Sequence, residues 1–140
     1  MAAHPIHPAL VHFPLGLLLT ATIADLAQLA GLWPEPRFTA WLMAAGLLAA
    51  LPAMGAGLYD FRRLDEAQVP RALRHMSVVA IAWSGYAVAL YLRREALTGT
   101  ADPSIASLAV GLASAATLMV GGWLGGELVY RYGAGRIAPE

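Results

Sequence analysis

Ile105-Ala-Ser-Leu-Ala-Val-Gly111-Leu-Ala-Ser-Ala-Ala-Thr-Leu-Met-Val-Gly121-Gly-Trp-Leu-Gly125-Gly-Glu127-Leu-Val-Tyr130 carries a single charged side chain, Glu127, near its C-terminal end. As a helix rising about 1.5 Å per residue, this run is longer than the roughly 30 Å hydrocarbon core of a bilayer. Three more such stretches precede it, at residues 9–32, 38–59 and 75–92. Nearly all the ionisable residues lie at the ends of the four. The pattern predicts an all-α integral membrane protein, a single domain over residues 1–140 folded as an antiparallel four-helix bundle.

Composition agrees. Apolar residues make up 59% of the chain and charged residues 13%, about half the share typical of soluble domains. The longest polar interval, residues 60–74, is too short for a separate soluble domain. Net charge is zero, so no global field recruits nucleic acid. All nine basic residues are Arg, which suits interfacial carboxylate, phosphate or propionate contacts. With no Cys, the chain has no disulfides, thiolate metal ligands or Cys-attached haem. The N-terminus lacks the basic region of a signal peptide, so the first helix is expected to be retained.

The interval around Pro34 and Pro36 is short, which predicts a hairpin between the first two spans. Ser104 is placed to cap the last helix. Arg62, Arg63, Arg71, Arg74, Arg131 and Arg136 lie on one side of the bundle and Arg37, Arg93 and Arg94 on the other. By the positive-inside rule, both termini and residues 60–74 are expected to be cytoplasmic. A reporter fused after Glu140 should therefore be active in the cytoplasm. One inserted within residues 98–103 should be inactive there; cytoplasmic activity at that site overturns the orientation but not the bundle.

Trp33, Trp41, Tyr59, Tyr91, Tyr130 and Tyr132 lie near helix ends, as an aromatic belt requires. The last helix is rich in small residues. Gly121 with Gly125, and Gly122 with Gly126, form two G-x-x-x-G pairs. The usual reason for such spacing is close helix packing or dimerisation; a flat wall for a porphyrin is the alternative.

Histidine placement is the sharpest functional signal. His4, His7 and His12 stand at the start of the first span, His75 opens the third, Asp60 closes the second and Glu127 closes the fourth. Antiparallel spans put all six at the same face. Three chemistries fit this cluster. His12 and His75 can ligate a b-type haem, with Arg62, Arg63 or Arg74 on the propionates. His4, His7, His12, Asp60, His75 and Glu127 can supply a mixed site for copper, iron or zinc. The same groups can serve a proton or quinone site. Against these stands a purely structural role, in which the imidazoles and carboxylates bond one another and the helix ends.

Asp25 lies inside the first span, with Thr22 and Gln28 three residues away on either side. A carboxylate there should face the bundle interior. Ser84, Tyr86 and Arg37 are its candidate partners; a proton relay is the alternative. No P-loop, G-x-G-x-x-G, H-E-x-x-H or Ser–His–Asp pattern is present, so hydrolase and nucleotide chemistry have no support.

His4-Pro-Ile-His7-Pro-Ala-Leu-Val-His12-Phe-Pro14, Asp25, Gly57-Leu-Tyr-Asp60, His75 and Gly125-Gly-Glu127-Leu-Val-Tyr130-Arg-Tyr-Gly133-Ala-Gly135 together resemble a bacterial four-helix membrane family, domain of unknown function 2231. The resemblance extends over essentially the whole chain. The family brings no established activity. Its members occur fused to Rieske-type or cytochrome c domains, which implies a link to membrane electron transfer and favours haem or quinone. Two departures stand out: Val79 where many members carry Asn, and a conservative Ile137 for Val.

The leading expectation is thus a redox accessory that binds haem b or couples to quinone, working with a respiratory or cytochrome/Rieske-type partner. The second is a transition-metal-binding membrane protein. The third is a non-catalytic subunit that packs in a homodimer or larger complex through the last-helix glycines. An enzymatic activity is neither indicated nor excluded.

Overall fold

The structure, a computed structural model, describes residues 6–32, 35–99 and 101–134. Four long helices account for most of them: α1 (Ile6–Leu29), α2 (Pro36–Phe61), α3 (Val69–Leu92) and α4 (Ile105–Tyr130). A short 3₁₀ turn, Arg94–Leu97, links α3 towards α4. All four helices are long and apolar enough to cross a membrane. The protein is an all-α membrane bundle.

α4 begins at Ile105 as its apolar run suggests, but the other three helices begin earlier than theirs. α1 starts at Ile6, so His7 is helical despite the surrounding prolines. Proline is tolerated in a first turn, where the missing N–H has no intrahelical acceptor. Further in, Pro14 has no N–H for the Leu10 carbonyl, and the helix is interrupted at Val11 between Ile6–Leu10 and His12–Leu29. α3 starts at Val69 with Pro70 in its first turn, which places His75 inside the helix and not at its entrance. The polar turn Arg71–Arg74 is therefore helical too: charge at a helix end reports the membrane boundary, not the helix boundary. α2 ends at Phe61.

The caps are local. Ser104 accepts the Ser107 N–H at 3.2 Å, as its position in sequence suggests. Gly31 closes α1 with φ +71°, and the Leu32 N–H reaches back to the Ala27 carbonyl at 2.9 Å. That bond needs a left-handed residue, which glycine supplies without strain.

Each helix packs most closely on its hairpin neighbour: α1 on α2, and α3 on α4. Leu18, Ala21, Met43, Leu47, Tyr86, Ala89 and Ala115 form the buried core between the hairpins. The core is narrow because alanine and glycine let the backbones approach. Leu48, Ile81 and Trp123 point outward instead, each about two-thirds exposed. In water such a surface would aggregate; in a bilayer it is the lipid-facing belt. Trp41 and Trp83 turn their indole N–H groups inward, onto the Leu97 and Leu47 carbonyls. Trp41 thus ties α2 to the 3₁₀ turn, beyond an interfacial role.

Candidate functional site

Two histidines are held in the same way in the two hairpins. His7 Nδ1 bonds the Ala53 carbonyl at 2.8 Å, and His75 Nδ1 bonds the Gly121 carbonyl at 2.9 Å. Both bonds link residues 46 apart in sequence. Each ring also lies against a glycine one helical turn further on. A Cβ on Gly57 would sit 3.0 Å from His7 Cε1, and one on Gly125 would sit 2.9 Å from His75 Cε1. A side chain at either glycine would displace the imidazole.

The tautomer follows from this geometry. A carbonyl oxygen only accepts, so Nδ1 must carry the hydrogen in both rings. In the neutral imidazole Nε2 is then bare, the form that ligates a metal or accepts a proton. Backbone anchoring through the other nitrogen is also how metal-bound histidines are oriented.

The likeness of the two hairpins extends beyond these residues. Adding 68 to a position in the first hairpin gives its counterpart in the second. Asp25 corresponds to Arg93, and the two meet: Arg93 Nη1 donates to Asp25 Oδ1 at 2.6 Å, with both residues 3% exposed. Leu18 corresponds to Tyr86, whose hydroxyl reaches the Leu18 carbonyl at 3.3 Å and bonds Thr22 Oγ1 at 2.7 Å. Thr39 corresponds to Ser107; Tyr59 and Arg63 correspond to Glu127 and Arg131. Both of the latter pairs are bonded one turn apart, Arg63 to Tyr59 at 2.7 Å and Arg131 to Glu127 at 2.9 Å. The recurrence of these contacts at one offset argues for two similar hairpins related by a pseudo-twofold axis along the bundle. Parallel repeats of this kind are a known membrane architecture.

This symmetry reorders the expected site. His75 has His7, not His12, as its counterpart. His12 is exposed and makes no hydrogen bond among the described residues. His4 lies outside the described residues. The six-residue metal set does not assemble: among the described residues no three of His, Asp and Glu come together as a metal ion would need. Asp60 is half-buried without a polar partner there, and Glu127 faces Arg131. Arg63 is stacked on Tyr59, 4.7 Å from the ring centroid, Arg62 is exposed, and Arg74 lines a hollow at this end of the bundle.

The last-helix glycines divide by face. Gly121 and Gly125 are packing positions, filled by Val79 and His75 of α3. They are not an open wall for a flat ligand. Gly122 is exposed with nothing within 4 Å of its Cβ position, and the Gly126 position meets only Tyr130 of its own helix. Val79 is thus a packing residue whose methyl lies 2.8 Å from the Gly121 Cβ position.

The partner of Asp25 was not among the candidates. Arg93 looks like a loop residue because it ends an apolar run, yet it folds inward. Its Nε also donates to Ser107 Oγ at 2.8 Å, and Ser107 in turn donates to the Ala89 carbonyl. Tyr86 is engaged with Thr22, not Asp25.

Residues 3–138 match the family described as predicted membrane protein, domain of unknown function 2231. The chain belongs to this family. No curated protein and no solved structure gives a significant match. For this member of the family, the function has to be read from the site.

Proposed function

We propose that this DUF2231 protein is a redox accessory of the bacterial inner membrane that holds a b-type haem between His7 and His75. The observation that supports the reading is the matched pair of imidazoles, each with Nδ1–H committed to a helix carbonyl and Nε2 bare. Two protein donors are too few for a bare zinc or iron ion, which takes four or more ligands. They suffice for haem iron, whose porphyrin supplies the other four. When bound, haem supplies reversible one-electron transfer. The residues of this chain hold and orient it: the Ala53 and Gly121 carbonyls fix the rings, and Gly57 and Gly125 make room for them.

The pair His7 and His75 replaces His12 and His75 in this proposal, because only the former occupy equivalent places in the two hairpins. Protein produced with adequate haem should show a Soret band. His7→Ala and His75→Ala should each abolish or shift it, while His12→Ala should leave it in place. A colourless protein holding one copper, iron or zinc per chain would move the reading to a metal site completed by external donors. A protein with neither would leave the imidazoles as clamps within each hairpin. The electron-transfer partner is expected to be a respiratory or cytochrome/Rieske-type protein.

A further inference from the structure

A hollow of about 180 Å³ opens where α3 begins and α4 ends, lined by Arg71, Arg74, Leu124, Glu127, Leu128 and Tyr132. Its walls are pre-set. Arg71 Nη1 donates to the Ala67 carbonyl at 2.7 Å, and its guanidinium stacks 3.9 Å from the Tyr132 ring centroid. Gln68 Nε2 donates to the Tyr132 carbonyl at 2.8 Å and so holds that residue in place. The one carboxylate in the lining, Glu127, is already paired with Arg131 at 2.9 Å. Arg74 has no hydrogen bond or ion pair among the described residues.

Among the described residues, two guanidinium groups therefore face a concave site whose lining holds no unpaired carboxylate. The hollow sits at the boundary between apolar helix and polar connection, which is headgroup depth, and Leu124 and Leu128 give it an apolar side. We propose that it binds the phosphate of an anionic phospholipid headgroup, held by Arg71 and Arg74 with acyl chains against α4. Arginine matches a phosphodiester through paired N–H donors, and basic hollows between spanning helices suit anionic headgroups. The site is distinct from the imidazole pair and does not depend on haem.

The test is native mass spectrometry of the haem-free protein in detergent, titrated with phosphatidylglycerol or phosphatidylcholine. Phosphatidylglycerol should bind with one preferred adduct, and phosphatidylcholine should not. Arg74→Gln should weaken that adduct about five-fold, and Arg71→Ala with Arg74→Gln by roughly twenty-fold. Arg63→Ala, at the same end but stacked on Tyr59 outside the hollow, should leave it unchanged. The Arg74 side chain has no partner among the described residues, so the single variant keeps the test valid even where the double variant fails to fold. Equal binding of both lipids would overturn the proposal, as would equal losses in the Arg63 and Arg74 variants. Displacement of the lipid by millimolar inorganic phosphate would assign the hollow to a free anion instead. A Soret band lost in Arg74→Gln with lipid binding intact would assign Arg74 to the haem and also overturn it.

Discussion

Arg93→Ala and Asp25→Ala should each destabilise the protein by about 3–5 kcal/mol, the usual cost of leaving half of a buried ion pair. Both residues are 3% exposed, and Arg93 is the only cation in contact with Asp25 among the described residues. Inside a bilayer no water relieves the orphaned charge. Arg93→Ala also strips Ser107 of a donor. The more informative experiment is the exchange Asp25→Arg with Arg93→Asp. Positions 25 and 93 are equivalent across the pseudo-twofold axis, so the pair should re-form with its ends reversed. Thr39 stands where Ser107 stands in the other hairpin; it is fully buried, and its Oγ1 has no partner among the described residues. By the 68-residue correspondence, that hydroxyl is expected to accept from Arg at position 25 as Ser107 accepts from Arg93. Melting in detergent should show both single variants well below wild type and the exchange largely recovered. An exchange variant as unstable as the singles would mean that the two hairpins are not interchangeable at this level.

The second large effect concerns α4. Gly125→Leu drives a side chain into the His75 ring, whose Cε1 is 2.9 Å from the Cβ position, and pulls Nδ1 off the Gly121 carbonyl. Gly121→Leu strikes Val79 at 2.8 Å. Overpacking of this kind costs about 1–3 kcal/mol, and more where a backbone has to move. Gly122→Leu meets nothing within 4 Å, and leucine favours helix over glycine by several tenths of a kcal/mol. Its melting temperature should be unchanged or slightly raised. A loss at Gly122 as large as that at Gly125 would show that the outer face of α4 packs on another protein, such as a second copy of this chain.

These expectations separate two kinds of information. The number of spans, their order and the all-α class follow from hydropathy alone, because lipid imposes a helix on any chain that crosses it. Ser104 as a cap and the inward face of Asp25 were also legible, since each depends on local chemistry or on the cost of a charge in lipid. Helix starts were less so: Ile6 and Val69 precede the apolar runs, because a helix continues through polar residues once it leaves the hydrocarbon. Which glycines pack and which face lipid was not legible, as both G-x-x-x-G pairs have the same spacing. Nor was the repeat, because equivalent contacts are made by different residues: Asp25 and Arg93, Leu18 and Tyr86, Thr39 and Ser107. Asp25 and Arg93 are opposite in charge and Leu18 and Tyr86 differ in polarity, so similarity along the chain is faint. Only the tertiary structure brings Arg93 to a carboxylate 68 residues away and sets His7, not His12, in the counterpart position to His75. The physical reason is the same in both cases. Hydropathy decides that a segment crosses the membrane, but the rotation of each helix about its own axis is decided by packing against the other three.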